Sequence, residues 1–247
     1  MKISEIIEYT RELAPYETAA EWDNVGLLAG SENTDVGRVL LALDVTAETA
    51  LEAASMGAEL IISHHPVIFA PLRALKPDTA PYLLVRNDIA ALCLHTNLDR
   101  AGQGVNKALA DALELENVTL YPEDFLAAGD VRKPCSADEF AAFVKERLGA
   151  PSVRYTEGSV SRLAVSSGGG GEGVELREKY GFDAFVTGEM KHHQFIYAAE
   201  HGTAAFDAGH FSTEDVVIEP LKRALAERFP EIEFIKSQKC RCPYKAI

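Results

Sequence analysis

Residues 38–66 read RVLLALDVTAETALEAASMGAELIISHHP. It opens on a near-continuous apolar run, Val39-Leu40-Leu41-Ala42-Leu43, the pattern of a strand covered on both faces. Thr46 to Met56 is alanine-rich and helical, Gly57 closes it, and Leu60-Ile61-Ile62 forms a second buried strand. Strand, helix and strand at this spacing make a β-α-β unit, so the two strands are expected to run parallel. The stretch ends on His64-His65-Pro66, directly past the second strand.

Toward the N-terminus, Ile3, Ile6, Ile7, Thr10, Leu13 and Ala14 share one helical face, and Pro15 stops that helix. Beyond residue 66, a helix around Thr79–Asn87 leads to a strand at Ile89–Leu94. Val105, Ala108, Leu109, Ala112 and Leu113 then mark another amphipathic helix. Composition shifts near Pro122–Pro134, after which Ser136-Ala137-Asp138-Glu139 fits a capping box that opens a helix ending at Gly149. Strands are expected at Val160–Val165, Asp183–Val186, Ala204–Phe206 and Ile232–Ile235. Helices are expected at Val174–Tyr180, Met190–Glu200 and Asp215–Arg228. The fold class is α/β: two α/β lobes of mixed, mostly parallel sheets flanked by helices. Residues 1–125 plus 207–247 are expected to form a metal-binding lobe, and 126–206 a second lobe.

The 247 residues carry 24 Lys+Arg against 38 Asp+Glu, a formal charge of −14. Such a surface repels phosphate backbones, which excludes general nucleic-acid binding and docking on anionic membranes. No apolar run approaches the roughly 18 residues of a membrane span. The acids Glu5 and Glu8 interrupt the start where a signal peptide would be apolar, and four cysteines make no disulfide framework. A cytoplasmic location is the expectation.

Histidines stand at the ends of three separate strands. His64 and His65 follow Leu60–Ile62, His95 follows Ile89–Leu94, and His210 follows Ala204–Phe206. Ligands gather at the carboxyl ends of strands in open α/β sheets. Asp99 comes four residues after His95, and Glu214 four after His210. Imidazole with carboxylate suits Zn, Mn, Fe, Ni or Co better than calcium. Consecutive side chains leaving a strand point oppositely, so two metals are expected to take one of His64 and His65 each. Glu214 is placed to bridge them. Two divalent ions with one Asp and one Glu leave a charge of about +2, which suits an anionic substrate.

Five motifs now carry a resemblance: Glu21-Trp22-Asp23-Asn24-Val25-Gly26-Leu27, Ser63-His64-His65-Pro66, His95-Thr96-Asn97-Leu98-Asp99, Thr187-Gly188-Glu189 and Gly209-His210-Phe211-Ser212-Thr213-Glu214. In this order the chain resembles the Nif-three-like family, also labelled GTP cyclohydrolase I type 2 homologues or dinuclear metal centre proteins, in its short form without an inserted middle domain. The resemblance implies a homohexamer with metal pairs facing an inner cavity. It implies one histidine of His64-His65 on each metal, Asp99 on one, His210 on the other, and Glu214 bridging. The expected function is a dinuclear-metal hydrolase in which water activated at the metals attacks a small phosphorylated or purine-nucleotide substrate, GTP among them. The alternative is a non-catalytic metal-binding scaffold or partner-docking protein.

Around this set, His95 suits either a partner of a metal ligand and a proton shuttle, or a hydrogen-bonded core group. Glu189 suits a general base or a substrate-orienting group, against a charge that merely favours a helix dipole. His192 and His193, neighbours on a helix, read as solvated, and His201 reads as a C-terminal cap. The glycine run Gly168–Gly171 satisfies a nucleotide-loop pattern trivially; an anion cradle stands against a tightly packed turn. Asp23 and Asn24 read as a turn that bonds its own backbone, or as cavity lining. Cys93 reads as core, and Cys240 and Cys242 as tail thiols without a role.

Overall fold

The computed structural model describes all 247 residues, and they divide into two compact units. The first comprises Met1–Ala101 and Ile218–Arg241. Its elements are α1 (Ile3–Leu13), β1 (Gly26–Ala29), β2 (Arg38–Ala42), α2 (Ala47–Met56), β3 (Leu60–Ser63), α3 (Ala80–Arg86), β4 (Ala90–Cys93) and α4 (Thr96–Arg100). The second comprises Gly102–Val217 and Cys242–Ile247. It holds α5 (Val105–Ala112), β5 (Glu116–Tyr121), β6 (Leu126–Ser136), α6 (Ala137–Leu148), β7 (Arg154–Tyr155), β8 (Ser159–Ser166), α7 (Arg177–Tyr180), β9 (Ala184–Thr187), α8 (His192–Glu200), β10 (Ala204–Asp207) and α9 (His210–Glu214). The chain then returns to the first unit with α10 (Ile218–Arg228) and β11 (Glu233–Lys236).

In the first unit the sheet order is β1-β4-β3-β2-β11, parallel throughout except for β1 at one edge. The β-α-β reading of residues 38–63 holds. Thr46 caps α2 by accepting from the Thr49 N–H, and Gly57 ends it in the left-handed conformation, with φ +69°. The central strands β2, β3 and β4 are fully buried apart from Arg38, as apolar runs covered on both faces should be. Leu40, Ile61 and Ala91 face Ala50 and Ala53 of α2 and Leu83 and Leu84 of α3. Each large aliphatic side chain buried this way contributes about 1.5–3 kcal/mol.

The second sheet runs β5-β6-β8-β9-β10-β7, with β8, β9 and β10 parallel and the flanking pairings antiparallel. Alternation along its strands separates two cores. Leu163, Val165, Val186 and Phe206 pack with Phe140 and Val144 of α6. Ala164, Phe185 and Ala205 face the other side, against Val174, Phe182 and Ala198. The capping box at Ser136 and Glu139 is present, and Gly149 ends α6 at φ +58°. The composition shift at residues 122–134 falls between β5 and within β6, inside this sheet, because the chain from Gly102 onward already packs against it. For the same reason residues 207–217 belong to this unit. No helix is long and apolar enough to cross a membrane.

Candidate metal centre

In the first unit the parallel strands deliver their chemistry at one carboxyl edge. Asp44 lies two residues past β2, His64 and His65 follow β3, and His95 lies two past β4. His64 and His65 do not diverge as the strand rule suggested: their rings lie 5.0 Å apart, inclined by 44°. The pair begins only after Ser63, the last residue of β3, where the pleat no longer dictates alternation. The His95 ring sits 5.1 Å from that of His64 and 5.6 Å from that of His65. One ring nitrogen from each of the three falls within 4.8 Å of the others, a grouping able to hold a cation.

Each of these rings is oriented by a bond from Nδ1. His64, buried, donates to the Leu94 carbonyl at 2.9 Å. His65 meets the Asp44 carboxylate at 2.8 Å, and His95 meets that of Asp23 at 2.8 Å. An acceptor on Nδ1 fixes the tautomer and turns Nε2 into the lone-pair atom a metal uses. Asp99, on the first turn of α4, brings Oδ1 to 3.6 Å from His64 Nε2.

Asp23 is a buried carboxylate with four bonds: from His95, the Asn24 N–H, the Thr96 N–H and the Thr96 hydroxyl. Burial opposes its charge, but the hydrogen bonds from His95 and Thr96 prevail and hold it well below the usual carboxylate range. Both sequence readings hold: the Asn24 N–H donates to Asp23 Oδ1 at 2.7 Å, a turn bonding its own backbone, and the same carboxylate faces the imidazole cluster through His95. Asp23→Asn is expected to destabilise the chain by about 1–3 kcal/mol in chemical denaturation at neutral pH. A carboxyl held lower when folded than unfolded contributes stability that is present above about pH 4 and lost as pH falls through the folded value. The difference between the two proteins should accordingly shrink on acidification.

In the second unit the same edge of the parallel strands carries the other donors. Past β9 come Gly188 and Glu189, and past β10 come Ala208, Gly209 and His210, which opens α9. His210 Nδ1 meets Glu189 Oε1 at 3.0 Å, and its Nε2 lies 3.0 Å from Oε2 of the buried Glu214. With Nδ1–H given to Glu189, a neutral His210 presents a lone pair to a carboxylate. A cation satisfies both, so this donor set fits a metal. Asp207 ties the two loops together, accepting from the backbone N–H groups of Met190 and Gly209 and from Arg154.

The glycine run is a packed turn. A Cβ on Gly168, whose φ is +57°, would meet Glu214 Oε1 at 1.9 Å and His210 Nε2 at 3.0 Å. One on Gly188 would meet the Gly168 carbonyl at 2.6 Å. The amides of Ser167, Gly168 and Gly170 donate to Asn106, Thr213 and Ser167 in turn, so the protein itself consumes them. A cavity of about 500 Å³ opens at His210, its wall including Arg154, Glu172, Glu189, Lys191, Asp207 and Tyr244.

His192, His193, His201 and Cys93 fall where the sequence put them, whereas Cys240 is engaged by the backbone. His192 and His193 are exposed at the start of α8. His201 is the C-cap, its Nδ1 donating to the Tyr197 carbonyl at 2.8 Å. Cys93 is buried, and burial first, then the charges of Asp23 and Asp99, push its thiol up. Cys240 Sγ accepts from the Asp44 N–H at 3.3 Å, beside the carboxylate that orients His65. Asp44 and the Leu94 carbonyl were missed in the sequence. Asp44 was within reach of the strand-end argument, since it stands past β2 as His64 stands past β3.

Comparison with known proteins gives the chain's relatives. The family model of Duf34/NIF3 (NGG1p interacting factor 3) matches residues 1–243. A Clostridium perfringens protein called GTP cyclohydrolase 1 type 2 homolog is 30% identical with all of both chains covered. A protein of that name from Streptomyces coelicolor is 35% identical over 86% of this chain and 81% of its own. Among solved structures, Staphylococcus aureus protein SA1388 superposes with a TM-score of 0.92 at 30% identity, covering 100% of this chain and 99% of that one. Reduced HcgD from Methanocaldococcus jannaschii gives 0.80 at 30% identity, covering 96% and 98%. With the family model matched over residues 1–243, a shared fold and relatives aligned along nearly the whole length, the chain belongs to the Duf34/NIF3 family.

Proposed function

We propose that the chain is a dinuclear-metal-dependent hydrolase, in which His64, His65, Asp99, His210 and Glu214 hold two divalent transition ions drawn from Zn, Fe, Mn, Ni or Co. Its substrate is a small anionic compound, phosphorylated or a purine nucleotide, with GTP suggested by the relatives' name. The observation that carries this reading is the orientation of the imidazoles: His64, His65 and His210 each have Nδ1 engaged by a carbonyl or carboxylate, the arrangement by which proteins orient metal-ligating histidines. Bound ions of this kind supply Lewis acidity and bring a coordinated water's pKa toward neutrality.

The chain's own groups have the following parts. Glu189 positions His210 through Nδ1, and Asp44 positions His65. His95, steadied by Asp23, takes up and releases protons at Nε2. The cavity wall beside His210 mixes Arg154 and Lys191 with Glu172, Glu189 and Asp207, and Arg154 is already paired with Asp207. Attraction for an anion must therefore come from bound metal, and the contribution of a ligand's phosphate groups to affinity is expected to vanish in metal-free protein. Glu189→Gln is expected to weaken metal binding about 10–100-fold, read by competition with a chromophoric chelator. The homohexamer and cytoplasmic location implied by the family resemblance belong to the same proposal.

The test is a hydrolysis screen of GTP and other phosphorylated compounds with metal-free and metal-restored protein. Turnover confined to the restored protein is the expected result. Two bound ions with no turnover across the screen would favour a metal-binding scaffold.

A further inference from the structure

Beside the imidazole cluster of the first unit stand two aromatic side chains that the fold leaves in solvent. Trp22 is 64% exposed and Phe69 is 56% exposed. Single exposed apolar residues need no explanation, but contiguous ones held in place do. These two rings lie 5.9 Å apart, and each is close to His95, at 6.1 and 6.4 Å between centroids. The loops that carry them are fastened to each other: Asn24 Nδ2 donates to the Ile68 carbonyl at 2.6 Å. On the far side, His95 is in ring contact with His64 and His65. A continuous path of rings thus runs from exposed indole to metal-ligating imidazole.

We propose that Trp22 and Phe69 are a stacking platform for the planar heterocycle of the substrate, a purine-like base, whose remaining part is thereby directed toward the imidazole cluster. The inference deepens the hydrolase reading and rests on it for the identity of the neighbouring site. Stacking on an aromatic face tolerates many heterocycles and needs no charge. Base affinity should therefore persist without metal, whereas affinity for the phosphorylated part should not. Leu72 and Leu75, farther along the Phe69 loop, are exposed as well, so a second copy of the chain is the competing occupant. Continuity with the imidazoles favours a ring-sized ligand, because a protein interface has no need of it.

Trp22 is the chain's one tryptophan, so its fluorescence reports the platform directly. Metal-free full-length protein is titrated with inosine and, as a control lacking the base, with ribose. Saturable quenching by inosine alone is expected. Phe69→Ala should weaken it about ten-fold, the scale of one lost stacking partner, and Phe69→Tyr should restore it. Phe69 is exposed, so neither variant should disturb folding, which circular dichroism checks. No quenching at millimolar inosine, equal quenching by ribose, or an emission change that follows protein concentration in place of ligand would each overturn the platform. Turnover is measured separately on metal-restored protein. Turnover without inosine quenching overturns the platform and leaves the hydrolase standing; quenching without turnover upholds the platform and removes the hydrolase.

Discussion

Glu214→Ala is expected to lower bound metal from about two ions per chain to one or none, and to reduce turnover on the order of 10³-fold. The magnitude follows from the several kcal/mol of transition-state stabilisation that a metal supplies. The side chain is buried and lies against His210 Nε2, so its carboxylate is the acidic half of a donor pair. Removing a buried carboxylate that serves only the fold would lower stability and leave metal content unchanged. Elemental analysis beside a thermal melt separates these outcomes, and Asp99→Ala, next to His64 Nε2, should behave alike. Retention of two ions in both variants would contradict the ligand set.

Gly168→Ala is expected to have a comparable effect without replacing any of the proposed ligands. A left-handed conformation costs an L-residue roughly 1–2 kcal/mol, and the new Cβ would stand 1.9 Å from Glu214 Oε1. The carboxylate is the movable partner, so it must swing away from His210 to make room. The variant should therefore fold with a lowered melting temperature and bind metal poorly, while Gly169→Ala, with no neighbour near its Cβ, should retain its metal. Equal metal content in the two variants would show that the turn does not support the site.

Much of the scaffold was legible because its signals are local. The apolar runs at 39–43 and 60–62, the Ser136–Glu139 box and the stops at Gly57 and Gly149 each act within a few residues. What escaped depends on tertiary context. β6 runs eleven residues, but its second half, with Arg132, Lys133 and Pro134, is solvated and looks like a loop. β1 is short, starts at a glycine with φ +95° and is an antiparallel edge added to a parallel sheet.

The candidate donors were legible for a different reason: within each sheet the parallel strands end at a common edge, so residues just past them gather there. Their orientation was not. The bond from His95 to Asp23 spans 72 positions, and that from His210 to Glu189 spans 21. Nothing in local spacing assigns such partners. The divergence expected of His64 and His65 failed for a related cause, since alternation is a property of paired strand and lapses where the pairing of β3 with β4 ends at Ser63.

The oriented imidazoles and their carboxylates are expected to hold two metal ions. The most direct measurement is elemental analysis of the full-length protein purified without added metal and again after dialysis against candidate divalent ions. About two transition-metal ions per chain, lost together with His64→Ala and His210→Ala, is the expected result. A chain that binds no stoichiometric metal under either condition would contradict it.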